Sequence, residues 1–192
     1  ATTAMALAIG GHFRDALELA GRLSPWFDRG QGERLRAAIH MLSGDRAAAK
    51  VALNNARDHD AQHPKTLFLL EYVDADPYAI VPLTERPVSE YLRWHHRFSA
   101  LRLARDEHDP AIALEYLSPG RWVDANLRVV DWPEVTYLIW LERIRKTAES
   151  GERDAAMKEL GRFRQWWPRD RPATSRVSAA ANQLEVELEG AH

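Results

Sequence analysis

The chain has no cysteine, which removes disulfides, thiolate metal sites and cysteine nucleophiles together and leaves both reducing and oxidising compartments open. Lysine is scarce as well, since 22 of the 26 basic residues are arginine. With 28 acidic residues the formal net charge is -2. The broad basic footprint of a nucleic-acid binder is therefore missing, and a nucleic-acid partner is not expected unless a local patch serves it. No apolar run approaches the ~20 residues of a membrane span, and no signal-peptide pattern stands out. Nucleophile elbows, glycine-rich phosphate loops and metalloprotease motifs are absent too. No cofactor and no catalytic role is called for by motif.

What remains is a chain of 192 residues, 45% hydrophobic and 28% charged. That composition fits a folded, soluble protein, long enough for one sizeable core or a short solenoid and too short for two ordinary domains. It opens at Ala1 without an initiator methionine. A mature exported form and a piece of a longer chain fit this equally, so cytoplasmic and periplasmic or exported locations both stay open. Oligomeric state is not legible.

The most regular stretch runs from Arg34 to Pro64. Leu35, Ala38, Ile39 and Leu42 recur at helical spacing, Ser43-Gly44-Asp45 breaks the pattern, and Ala48, Ala49, Ala52, Leu53 and Ala56 resume it. Each half buries one face. Small residues dominate the second helix, so a neighbour can approach near the close end of the ~8 to 10 Å range for packed helices. One hairpin cannot cover its own apolar face and has to stack on others.

The same design recurs along the chain. A short helix to Ile9 meets Gly10-Gly11, followed by Phe13, Ala16, Leu17, Ala20 and Leu23 on one face. Asp76-Pro77 and Asp109-Pro110 supply helix starts, with aspartate as the cap and proline in the first turn. Breaks near positions 11, 44, 76 and 109 are thus 32 or 33 residues apart. Pro82 and Pro87 disturb the third unit. A helix from about Val88 to Arg105 follows, with Leu92, Phe98, Leu101 and Ala104 as core positions, and a partner from Pro110 to Leu117 with Ile112 and Ala113. The inserted stretch SPGRWVDANLRVVDW breaks the period. The next helix starts at Asp131, with Glu134 completing a capping box, and runs over Val135, Leu138, Ile139, Leu141 and Ile144 to Ser150-Gly151. Its partner carries Ala155, Ala156, Leu160 and Phe163 up to Pro168. A last helix from Pro172 to Glu189, with one polar side, suits the open end of a stack.

These hairpins resemble the tetratricopeptide repeat, a helix-turn-helix unit of about 34 residues. The likeness is closest in MLSGDRAAAKVALNNA, with Gly44-Asp45 at the turn and Ala49, Leu53 and Ala56 on the small-large-small positions. It is weaker in GGHFRDALELA and SGERDAAMKEL, and Asp109-Pro110 replaces the glycine turn. The resemblance implies an all-α fold of stacked antiparallel helical hairpins, a tetratricopeptide-like α-solenoid closed by a C-terminal capping helix, forming a single domain over residues 1–192. It also implies a non-catalytic scaffold that binds a protein or peptide partner in a groove.

Large side chains on inner helix faces are the candidates for that groove. Tyr91, Trp94, Trp122 and Trp132 supply anchoring surface, and Arg93, Arg97 and Arg128 suit carboxylates. The alternative reading is a metal-dependent or acid/base enzyme. His59 and His63 are four apart beside Asp58 and Asp60, a set that suits a divalent metal, and Glu71, Asp74 and Asp76 form an acidic cluster. Plainer accounts exist for both: histidine is favoured at a helix C-terminus, and the acids can be a cap and a solvated turn. No metal is expected. The segment RFRQWWPRDR, from Arg162 to Arg171, interleaves arginine with tryptophan and could stack on bases. Against that, Phe163 and one of Trp166 and Trp167 can simply face the core.

Overall fold

The computed structural model describes residues 1–76, 95–118 and 133–190. Among them the fold is all-helical, with ten α-helices and no strand. In chain order these are α1 (Thr2–Ile9), α2 (Phe13–Leu23), a 3-10 turn (Ser24–Trp26), α3 (Arg29–Ser43), α4 (Arg46–His59) and α5 (Pro64–Asp74). Then come α6 (His95–Asp106), α7 (Pro110–Tyr116), α8 (Pro133–Glu149), α9 (Arg153–Trp166) and α10 (Arg176–Gly190). The chain divides into two compact units, each gathered from separate stretches. Unit 1 takes Ala1–Ala75, Arg128–Glu134 and Arg171–Arg176, and unit 2 takes Asp76–Leu127, Val135–Asp170 and Val177–His192.

One turn geometry serves three hairpins. Gly11, Gly44 and Gly151 have φ of 89°, 82° and 91°. At Gly44 the amide donates to Met41 O at 3.0 Å and the Asp45 amide to His40 O at 2.9 Å, the paired closure of a Schellman motif. The same pair of bonds recurs at Gly11, to Ala8 and Leu7, and at Gly151, to Ala148 and Thr147. In each case the following helix starts two residues on. Around α3 and α4 the caps are complete. Asp28 accepts from the Gln31 amide at 2.7 Å and Asp45 from the Ala48 amide at 2.9 Å.

Inside unit 1, α3 packs on α4, α2 and α1, and α4 packs on α5. Leu35, Ala38, Ile39 and Leu42 are buried as their spacing predicts, and so are Ala49, Ala52, Leu53 and Ala56. Segment 171–176 crosses the C-terminal ends of α1, α3 and α5. Arg171 donates to Ala8 O and Ile9 O at the end of α1. Thr174 Oγ1 donates to Ser43 O at 3.4 Å at the end of α3. Arg176 donates to Tyr72 O at 3.0 Å, Val73 O at 3.1 Å and Ala75 O at 2.5 Å at the end of α5. A helix end exposes carbonyls that its own ladder leaves unpaired, so this short strap serves three ends at once. Its use there accounts for the late start of α10. The helix expected from Pro172 begins at Arg176, because residues 172–175 form a turn, closed by the Ser175 amide donating to Pro172 O at 3.0 Å.

In unit 2, Phe98, Leu101 and Ala104 of α6 are buried with Ala113 and Leu117 at α7. Asp109 caps α7, accepting from the Ala111 amide at 2.9 Å. On α8, Val135, Leu138, Ile139, Leu141 and Ile144 are all buried. Phe163 of α9 meets the ring edges of Tyr137 and Trp140 at 6.1 and 5.3 Å. Two expected core residues face outward. Ile112 is exposed because the buried line of α7 runs through Ala113 and Leu117, and Ala155 is exposed because that of α9 runs through Ala156, Leu160 and Phe163. Glu134, by contrast, is buried in unit 1, its Oε2 accepting from the Tyr72 hydroxyl at 2.6 Å. Its capping partner Asp131, Leu92 and the prolines at 77, 82 and 87 lie outside the described residues.

Candidate functional site

The site is built on the turn between α2 and α3 in unit 1. α2 stops at Leu23, and Pro25 within the 3-10 turn cannot continue a helical ladder. Phe27 then takes extended geometry, with φ -103° and ψ 159°, before Asp28 caps α3. Gly32 lets this turn lie close to α3, because a Cβ there would stand 3.1 Å from Ser24 Oγ. The swing leaves Trp26 85% exposed. Gly21, Ser24, Pro25, Phe27, Glu33 and His59 line an open cleft of about 540 Å³ at this turn. Two of those residues, Pro25 and Phe27, flank Trp26.

Glu33 supplies the charge of the cleft. Its side chain is 14% exposed. Oε1 accepts from Arg36 Nη1 at 3.3 Å, whereas the buried Oε2 has no hydrogen-bond partner among the described residues. An ionised carboxylate only accepts hydrogen bonds, and burying such an oxygen without a donor is costly. Ser24, Glu33 and His59 bring a hydroxyl, a carboxylate and an imidazole to one cleft, but no hydrogen bond joins any two of them. A relay for nucleophilic catalysis holds such groups about 2.6 to 3.2 Å apart. As it stands the arrangement sets a hydroxyl, a carboxylate and an imidazole beside Pro25 and Phe27.

The two histidines expected to form a metal site stand on different elements. His59 is the last residue of α4, while His63 stands beyond the Asp60 break at the start of α5, so the two do not share a helix face. Burial, reinforced by the Arg34 charge, lowers the His63 pKa. Among the described residues no group of three or more His, Asp or Glu side chains is arranged to hold a metal ion. Glu71 is exposed, and Asp74 accepts from Lys50 Nζ at 2.5 Å.

Of the residues expected to line a groove, Tyr91, Arg93, Trp94, Trp122, Arg128 and Trp132 lie outside the described residues. Arg97 is buried in unit 2, donating to Thr136 Oγ1 at 3.0 Å. In the 162–171 segment Trp167 is fully buried and Trp166 is 61% exposed. Three of the four arginines there are ion-paired, Arg162 with Glu159 at 3.0 Å and Arg164 and Arg169 with Glu185 at 2.9 and 2.5 Å, and Arg171 donates to the carbonyls at the end of α1. Sequence reasoning passes over Trp26 and Glu33. The signal available for Trp26 is a tryptophan directly after Pro25 and two residues before a helix-capping Asp28, a place where a large ring has no helical face to join.

Among the described residues no helix is long and apolar enough to cross a membrane. Comparison of the chain with protein-family models, with curated proteins and with solved structures finds no match in any of the three.

Proposed function

We propose that this chain is a non-catalytic scaffold of stacked helical hairpins, tetratricopeptide-like in design, that binds a protein or peptide partner. The observation that carries the binding reading is Trp26, 85% exposed between two residues that line an open cleft. Exposing a ring of that size forgoes burial that a folded chain ordinarily uses, and tryptophan is the residue type most enriched where partners anchor. The stacking reading is supported by the recurrent Schellman turns and by the strap, which finds the ends of α1, α3 and α5 within reach of six consecutive residues. Alternate helices of a hairpin stack end in register in this way.

The test is retention of random peptides, displayed on an array, by the purified chain. Peptides are retained, and Trp26→Ala weakens the best of them about tenfold or more, as expected of an anchoring tryptophan, with helicity unchanged by circular dichroism. Trp122→Ala and Trp132→Ala, measured alongside, report whether the inserted segment contributes. Absence of retention by the wild-type chain would sink the reading.

A further inference from the structure

The turn between α1 and α2 already seats a guanidinium, and we infer that it is a binding site for the arginine side chain of a partner peptide, filled in cis by Arg171. Arg171 Nη2 donates to Ile9 O and Nη1 to Ala8 O at 3.5 Å, while its Cζ lies 6.0 Å from the centre of the Phe13 ring at the start of α2. Gly11 makes room between them, because a Cβ there would stand 2.6 Å from Nη1. Carbonyls at a helix end carry partial negative charge that their own ladder leaves unmatched, and an aromatic face adds attraction for a planar cation. The same recognition is built a second time in unit 1, where Arg176 donates to the carbonyls ending α5 and lies over the Tyr72 ring.

The bonds that hold the strap on these ends come from its side chains and finish on backbone carbonyls. An arginine from another chain therefore offers Ala8, Ile9 and Phe13 the same fork. The strap is held unequally at its two ends. Arg176 is buried, whereas Arg171 is partly exposed, and Ala173 and Thr174 between them are exposed. Exchange belongs to the Arg171 end, with Arg176 as the anchor. Lysine is a poorer ligand because an ammonium lacks the planar fork for two carbonyls, and a carboxylate would face the negative end of α1. The tethered Arg171 competes at an effective concentration of about millimolar, a threshold that a partner peptide overcomes with further contacts of its own. This site is separate from the cleft at the α2–α3 turn and does not depend on Trp26.

The experiment vacates the site with Arg171→Ala in the full chain, adds N-acetyl-arginine amide, and follows urea unfolding by circular dichroism. The amide is expected to stabilise the variant saturably, raising its folded-to-unfolded ratio about tenfold at about ten times the dissociation constant. Wild type, whose site is filled, gains far less. N-acetyl-citrulline amide, which keeps the shape without the charge, stabilises neither. Arg171→Lys, which keeps a cation at the carbonyls, is measured in parallel with the same expectations and replaces the alanine variant if that one does not fold. Equal gains for variant and wild type, equal gains from the two amides, or no gain in a folded variant overturns the inference. Random peptides retained by wild type without any arginine effect in the variant sink only the site at α1. Arginine stabilisation of the variant without peptide retention by wild type sinks only the scaffold reading.

Discussion

The Arg176 guanidinium lies 4.7 Å over the ring of Tyr72 and also donates to the backbone carbonyl of that residue at 3.0 Å. One side chain thus covers the aromatic face and closes the end of α5, while the Tyr72 hydroxyl is held by Glu134. Arg176→Ala strands three carbonyls at once. A buried acceptor without a donor costs about 1 to 3 kcal/mol, so a loss of at least about 3 kcal/mol is expected by urea unfolding. Arg176→Lys recovers only part of it, because an ammonium lacks the planar fork that reaches several carbonyls and stacks. Full recovery by lysine would mean that charge alone matters.

Tyr72, buried beside Glu134, sets an alkaline limit. Burial, followed by the Glu134 charge, raises the Tyr72 pKa well above 10.0. A phenol with a raised folded pKa keeps its proton in the native state after the unfolded chain has released it. Its contribution is whole below the unfolded pKa and falls as pH climbs above it. Tyr72→Phe removes that dependence, and stability measured from pH 8 to about 11 should decline less steeply in the variant. Parallel declines would remove Tyr72 as the cause.

Glycine substitutions separate the strap from the turns it crosses. Gly44→Ala and Gly151→Ala both force a side chain into left-handed backbone, costing about 1 to 2 kcal/mol. At Gly151 the new methyl meets nothing within 4 Å, whereas at Gly44 it would lie 2.3 Å from Thr174 Oγ1 and 2.6 Å from the Ser175 backbone nitrogen. Gly44→Ala is therefore expected to cost clearly more, because backbone must move. Gly11→Ala falls between them, since its nearest neighbour at 2.6 Å is the flexible end of Arg171. Equal costs at 44 and 151 in urea unfolding would show that the strap is not held there.

These turns are legible in the sequence because a Schellman closure needs glycine at a fixed place after an apolar helix, and Gly11, Gly44 and Gly151 stand there. The strap is not legible. Arg171, Thr174 and Arg176 act on carbonyls 162, 131 and 103 residues earlier in the chain, and Pro172 reads locally as a helix start. Trp26 and Glu33 escape for a related reason. Helical periodicity ranks residues by the face they bury, and a tryptophan thrown outward by a proline turn has no such face.

Two carboxylates in unit 2 respond to acid with opposite sign. Hydrogen bonding from Arg169 lowers the Glu185 pKa, so its contribution is present above the unfolded value of 4.5 and is lost as pH falls through the lower folded value. Glu142 is buried and its pKa is raised by desolvation despite the Arg145 charge. Its charged form is disfavoured in the native state, so it opposes stability increasingly as pH rises from 4.5 through its folded value. Glu185→Gln flattens the acid limb of stability between about pH 3 and 6, and Glu142→Gln steepens it. Identical profiles for the two variants would contradict both assignments.

Trp166 and Trp167 are adjacent in sequence yet serve different environments. Trp167 closes α9, lies 5.1 Å from the Tyr137 ring and donates from Nε1 to Ser178 Oγ at 2.9 Å. Ser178→Ala keeps the packing but leaves that buried N–H without its acceptor, an expected loss of about 1 to 3 kcal/mol. Trp167→Ala also opens a cavity and should cost about 3 to 5 kcal/mol. Trp166, 61% exposed, gives up little on truncation, and Trp166→Ala should stay within about 0.5 kcal/mol of wild type. Fluorescence adds an independent reading. Quenching by iodide should fall when Trp166 is removed and should not fall when Trp167 is replaced by phenylalanine. If the two variants lose equal stability and equal quenching, the burial of one ring and exposure of the other is wrong, and with it the packing of α9 on α10.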